Sequence, residues 1–209
     1  MAIKTRSHRR LTRRLFQLYG GLALYGVSLA LMVRAELGLD PWDTFHQGLS
    51  LRTPLSFGTW VIIVGACVLL WIPLRQRPGI GTVSNVVLVG LAADATLVLM
   101  PTFESLAVRG PLLTAGIVLN GAATGCYVGA RFGPGPRDGL MTGLAARGHS
   151  IRVVRTTIEL SVLAAGFLLG GTVGLGTLAY ALAIGPLVHH FLPMLRVELP
   201  GDTEPGVAE

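Results

Sequence analysis

The sequence predicts an all-α membrane protein: about six transmembrane helices, arranged as two inverted three-helix repeats, each with a short helix after its first span. Three observations carry this expectation. The chain is far more apolar than a soluble domain, its basic residues gather on one side of the expected crossings, and its second half echoes its first at an offset of 95 residues. Hydrophobic residues make up 51% of the 209 and charged residues only 13%, with a mean hydropathy of +0.62. Soluble domains carry about 25% charged residues.

The elements follow in chain order. Residues 1–14 form a basic segment with Lys4, Arg6, Arg9, Arg10, Arg13 and Arg14. The apolar run 15–33 continues into Arg34-Ala35-Glu36 with no small-residue cleavage pattern, so it reads as a retained helix and not a signal peptide. Further spans are expected at 57–74, 82–100, 112–130, 156–172 and 175–195, each near the ~20 residues needed to cross hydrocarbon as a helix. The membrane domain is therefore 15–195, divided into repeats of about 15–100 and 111–195. Residues 196–209 are acidic and rich in Pro and Gly, a pattern expected to be a short disordered tail.

Six crossings with the N-terminus inside place 14 of the 17 basic residues on the inner side; only Arg34, Arg52 and Arg109 fall outside. The positive-inside rule thus supports both count and orientation, with both termini cytoplasmic. The net charge of +6 needs no nucleic acid. Anionic lipid headgroups suffice as partners of the N-terminal cluster. Cys67 and Cys126 fall inside spans with no metal or redox spacing, so neither a disulfide framework nor a metal site is expected.

The offset aligns "LGLDPWDTFHQGLS" (37–50) with "FGPGPRDGLMTGLA" (132–145), matching Gly38 to Gly133, Pro41 to Pro136, Asp43 to Asp138 and Gly48 to Gly143. "GIGTV" from Gly79 likewise falls on "GLGTL" from Gly174. Three spans per copy is an odd number, so the second copy should be inverted relative to the first. In transporters of that build the site lies where the copies meet.

Within the first copy, Asp40 at the cap, Pro41 at the first position and Asp43 at the third are concordant helix-start signals. The helix from Pro41 to about Leu51 is too short to cross. It either lies at the interface or re-enters the membrane lined by protein. Asp43, His46 and Gln47 share one face, and Asp138 and Thr142 stand in the second copy, giving five candidate substrate-binding residues. The plainer reading of both aspartates is that they only stabilise helix starts. Asp94 and His189, related by the same offset of 95, are candidates for proton or cation coupling, because ionisable groups at membrane depth are costly. Glu159, four residues after Arg155, reads as a helix-face ion pair.

The stretch "LGLDPWDTFHQGLS" followed by "LSFGTWVIIVGACVLLWIPLRQRPGIGTV" resembles the YczE/YyaS/YitT family of bacterial integral membrane proteins, especially its YczE-like branch. The resemblance runs from about residue 22 to 195 and implies a multi-pass membrane location, with no catalytic residues to carry over. No phosphate loop, GxSxG, HExxH or dinucleotide fingerprint in a strand context is present. An enzyme is therefore not expected, and no cofactor is implied. The expectation is a small transporter or permease of the bacterial cytoplasmic (inner) membrane, moving an unidentified small molecule or ion. The alternative is a non-transporting accessory or regulatory membrane protein that acts through partner binding.

Overall fold

A computed structural model describes residues 2–71, 78–133 and 135–198. Its elements are eight helices: α1 (Ala2–Ala35), α2 (Pro41–Arg52), α3 (Phe57–Trp71), α4 (Ile80–Leu99), α5 (Leu106–Gly129), α6 (Pro136–Ala145), α7 (Ile151–Leu168) and α8 (Leu175–Leu195). The expected helix starts at Pro41, Pro136 and Leu175 are all observed. The expected start at Phe57 is likewise observed, whereas residues 72–74 of the 57–74 span and most of the acidic tail lie outside the described residues.

Among the described residues, four helices are long and apolar enough to cross a membrane: Arg10–Ala35 of α1, then α4, α5 and α8. A fifth candidate is the pair α2 and α3, bent by 119°. The shortfall from six has a physical cause. The helix α7 spans 18 residues and carries Arg152, Arg155 and Glu159, which lower its apolarity, while α3 spans only 15 described residues. Large apolar side chains face outward along α4 at Ile80, Val83, Val87 and Leu91, and along α8 at Leu175, Leu178 and Leu182. Such a stripe is disfavoured in water and suited to lipid.

The core is built on α1 and α5, with Leu18, Leu22, Leu29 and Met32 of α1 against Leu113, Ile117 and Tyr127 of α5. These two helices run antiparallel. Near the start of α1, Arg14 donates to the Ala130 and Arg131 carbonyls beyond the end of α5, both at 3.0 Å. Near the start of α5, Arg109 donates to the Ala35 and Glu36 carbonyls at 2.6 and 2.7 Å. A guanidinium there satisfies otherwise unpaired terminal carbonyls and complements the negative end of the helix dipole. Replacing either arginine by alanine is expected to cost about 1 kcal/mol. The two losses should add, as read by unfolding in detergent; unequal or vanishing effects would remove the arginines from the account of the helix ends.

Other contacts recur at the spacing that separates Arg14 from Arg109. Glu36 and Arg131 both have positive φ (50° and 59°), as do Gly38 and Gly133 (117° and 121°). The Gly176 N–H donates to the Leu37 carbonyl at 2.7 Å, and the Gly81 N–H to the Phe132 carbonyl at 3.1 Å. Thr82 and Thr177 cap the starts of α4 and α8, each accepting from the N–H of Gly79 or Gly174 at 3.2 Å. The helix α1 packs on α4 as α5 packs on α8, and α2 packs on α7 as α6 packs on α3. Close approach depends on small residues. A Cβ at Gly26 would lie 2.5 Å from the Val89 carbonyl oxygen, and one at Gly121 would lie 2.7 Å from the Leu187 Cβ.

Candidate functional site

The site is organised by the first turn of α2. The Asp40 carboxylate accepts the Asp43 N–H at 2.9 Å, and Pro41 occupies a position whose missing N–H costs nothing. Capping therefore sets two carboxylates three residues apart at one helix start. One turn on, His46 Nδ1 lies 3.2 Å from Asp43 Oδ1, and the Thr44 hydroxyl donates to the Asp40 carbonyl at 2.8 Å. Asp40, Asp43 and His46 are 2%, 0% and 1% exposed. Carboxylates so buried are costly without a counter-charge.

The counter-charge comes from α6. Arg137 places Nη2 at 3.3 Å from Asp43 Oδ1 and Nη1 at 3.8 Å from Asp40 Oδ1. Its guanidinium also sits 5.2 Å from the centre of the Trp42 ring, a cation–π contact. Trp42 and Arg137 stand at matching positions of the two stretches aligned at the 95-residue offset, and the later stretch supplies the charge that balances the aspartates of the earlier one.

These groups border a cavity of about 380 Å³ to which all eight helices contribute. Several lining residues come in pairs at the 95-residue offset, among them Trp42 with Arg137, Val64 with Glu159, and Asn85 with Tyr180. One part of the wall is polar, with Asp40, His46, Arg137, Asp138, Arg155 and Glu159. Another is apolar, with Val61, Val64, Val68, Val86 and Val188. Arg155 pairs with Glu159 at 2.9 Å, as their spacing of four suggests. The Tyr127 hydroxyl hydrogen-bonds Asp138, and the Tyr180 hydroxyl donates to Asn120 at 3.1 Å. Among the described residues no group of three or more His, Cys, Asp or Glu side chains is placed to hold a metal.

Of the residues singled out by sequence, His46 and Asp138 line the cavity, and Asp43 lies behind His46 and Arg137. The helix α2 is buried against α7, with Trp42, Asp43, Thr44, His46 and Gly48 buried. Gln47 is turned elsewhere, its side-chain oxygen accepting the Thr172 N–H at 2.6 Å. The Thr142 hydroxyl bonds back to the Asp138 carbonyl at 2.9 Å. Asp94 accepts the Gly58 N–H at 2.7 Å and the Ser56 hydroxyl, so it ties down the start of α3. His189 is exposed on α8 and is not part of the cavity wall.

Sequence reasoning assigned Arg137 to the inner positive segments and missed its pairing with the aspartates. Its position opposite Trp42 in the aligned motifs was the available signal. The wall tyrosines Tyr25 and Tyr127 belong to no motif that marks them, whereas Tyr180 stands at the 95-residue offset from Asn85 as a polar residue within a span.

Comparison with known proteins agrees with a membrane assignment and leaves activity open. An uncharacterized protein of Haemophilus influenzae is 39% identical over 176 residues, covering 83% of this chain and 81% of the relative. The uncharacterized membrane protein YczE of Bacillus subtilis is 36% identical over 180 residues, covering 84% and 83%. The uncharacterized protein YyaS of the same organism is 26% identical over 190 residues, covering 87% and 94%. No solved structure matches the chain. With a family model matching residues 12–193 and these relatives, the chain belongs to the family of unknown function DUF6198, the family of YczE and YyaS.

Proposed function

We propose that the protein is a small transporter or permease of the bacterial cytoplasmic membrane, built as two inverted three-helix repeats that cross six times. Its substrate site is the cavity between the repeats. The observation that carries this reading is a single cavity walled by every helix and bordered by buried ionisable groups. Charged groups at that depth are expensive to keep and characteristically mark substrate or ion pathways. The antiparallel α1 and α5, with their reciprocal arginine contacts, support the inversion. The short helices α2 and α6 fit the discontinuous segments that form midplane sites in transporters of this kind. In this reading Asp43, His46 and Asp138 serve the site, both termini are cytoplasmic, and residues 1–14 meet anionic headgroups.

The test is flux into vesicles reconstituted with the full chain, using labelled amines, carboxylates and neutral solutes. The native protein should carry at least one class saturably. Asp43→Asn, which keeps the shape of the side chain and removes its charge, should lower that flux by about tenfold or more, equivalent to some 1.4 kcal/mol. Absence of flux for every class in protein shown to be folded would overturn transport in favour of an accessory role.

A further inference from the structure

Resting on that reading of the cavity, we infer that its ligand is a compact organic cation, a protonated amine joined to an apolar body. Four carboxylates, Asp40, Asp43, Asp138 and Glu159, lie in or directly behind the wall, against two guanidinium groups, Arg137 and Arg155. The formal imbalance is negative. Arg137 engages only the Oδ1 atoms of Asp40 and Asp43, and both Oδ2 atoms are buried with no hydrogen-bond partner among the described residues.

Two more buried polar atoms lack a partner there, His46 Nε2 and Trp42 Nε1. His46 Nδ1 faces a carboxylate oxygen, which assigns its proton to that nitrogen and leaves Nε2 as an acceptor. Of the orphaned atoms on residues that line the cavity, Asp40 Oδ2 and His46 Nε2 are thus acceptors, and the Trp42 indole N–H is the donor. Leaving a buried polar atom unpaired is costly, so these atoms favour a ligand that brings donors and positive charge. An anion would meet the unpaired carboxylate oxygens and would compete with Asp43 for Arg137.

The remaining wall selects an organic cation over a metal ion or a proton alone. Tyr25, Trp42, Tyr127 and Tyr180 supply aromatic surface, whose ring faces attract cations. The valines supply a surface that only an apolar body would cover. A volume of about 380 Å³ lies within the range of small-molecule sites, roughly 300–1,000 Å³.

The probe is phenethylamine, compared with its neutral and anionic analogues 2-phenylethanol and phenylacetate, on the purified full chain in lipid nanodiscs. Phenethylamine should raise the unfolding temperature saturably and the two analogues should not. Asp40→Asn keeps the helix cap, because the amide oxygen accepts the same Asp43 N–H, and should weaken amine binding about tenfold or more, some 1.4 kcal/mol. Val64→Phe, which narrows the apolar wall and leaves every charge in place, should weaken it as well. Equal shifts with either analogue, or no shift with the amine, would overturn the cation assignment. Amine binding without flux in vesicles would keep the cation site and remove transport. Flux of a carboxylate or neutral solute without amine binding would do the reverse.

Discussion

Arg137→Met is expected to destabilise the protein by about 3 kcal/mol, among the largest effects available at a single side chain. The reason is asymmetric: the arginine retains 23% side-chain exposure, but its partner Asp43 has none. Removing the guanidinium leaves the Asp43 carboxylate, and Asp40 beside it, buried without a counter-ion. Neutralising the partner as well, in Arg137→Met/Asp43→Asn, should recover part of the loss, because Asp43 no longer leaves an unpaired charge while Asp40 still lacks its counter-ion. A double-mutant cycle on denaturant unfolding in micelles measures the coupling. Arg147→Met, at an exposed position, serves as the control. If Arg137→Met proved as benign as Arg147→Met, the ion pair would not hold α2 to α6.

Gly38→Ala should be comparably damaging, at about 3 kcal/mol, for two separate reasons. Its φ of 117° lies where a side chain is strained. Its new Cβ would also stand 2.6 Å from the Gly174 nitrogen and 2.7 Å from the Thr177 hydroxyl oxygen, atoms that start α8. Backbone there cannot yield without shifting the helix. Gly143→Ala provides the contrast, since a Cβ there meets nothing within 4 Å. It sits in α6 with ordinary helical backbone and should be neutral or slightly stabilising, by up to about 1 kcal/mol. Thermal unfolding of the two variants side by side checks the difference; equal behaviour would dismiss the loop-to-helix contact as a constraint.

Local chemistry made part of this molecule legible in advance. Asp40-Pro41 and Gly135-Pro136 announce helix starts through capping and fixed φ, and both helices begin at the proline. The matching Gly38 and Gly133 shared a motif position, and both adopt left-handed backbone. What stayed hidden depends on contacts distant in the chain. Asp94 reads as an intramembrane acid until α3 is seen to bring the Gly58 N–H to it. Gln47 reads as part of a polar face until the chain after α7 returns to receive its side chain. Arg137 reads as a topology charge because the positive-inside rule counts arginines without asking what each one touches. The 15 described residues of α3 and the charges of α7 likewise blurred the crossing count, because composition alone cannot separate a full span from a helix that leans on its neighbours.

The stacking of Arg137 on Trp42 bears on why the two halves differ. A symmetric pair built from two copies of the first half would set tryptophan against tryptophan at that position. It would also bring two sets of buried aspartates together with no guanidinium between them. Neutralising them would fall to protons or bound ions, and each half would be interchangeable with the other. One continuous chain escapes that constraint, since it can keep acid on one side of the contact and base on the other. Here the guanidinium that balances Asp40 and Asp43 comes from the other half of the chain, and the first half carries no balanced site alone.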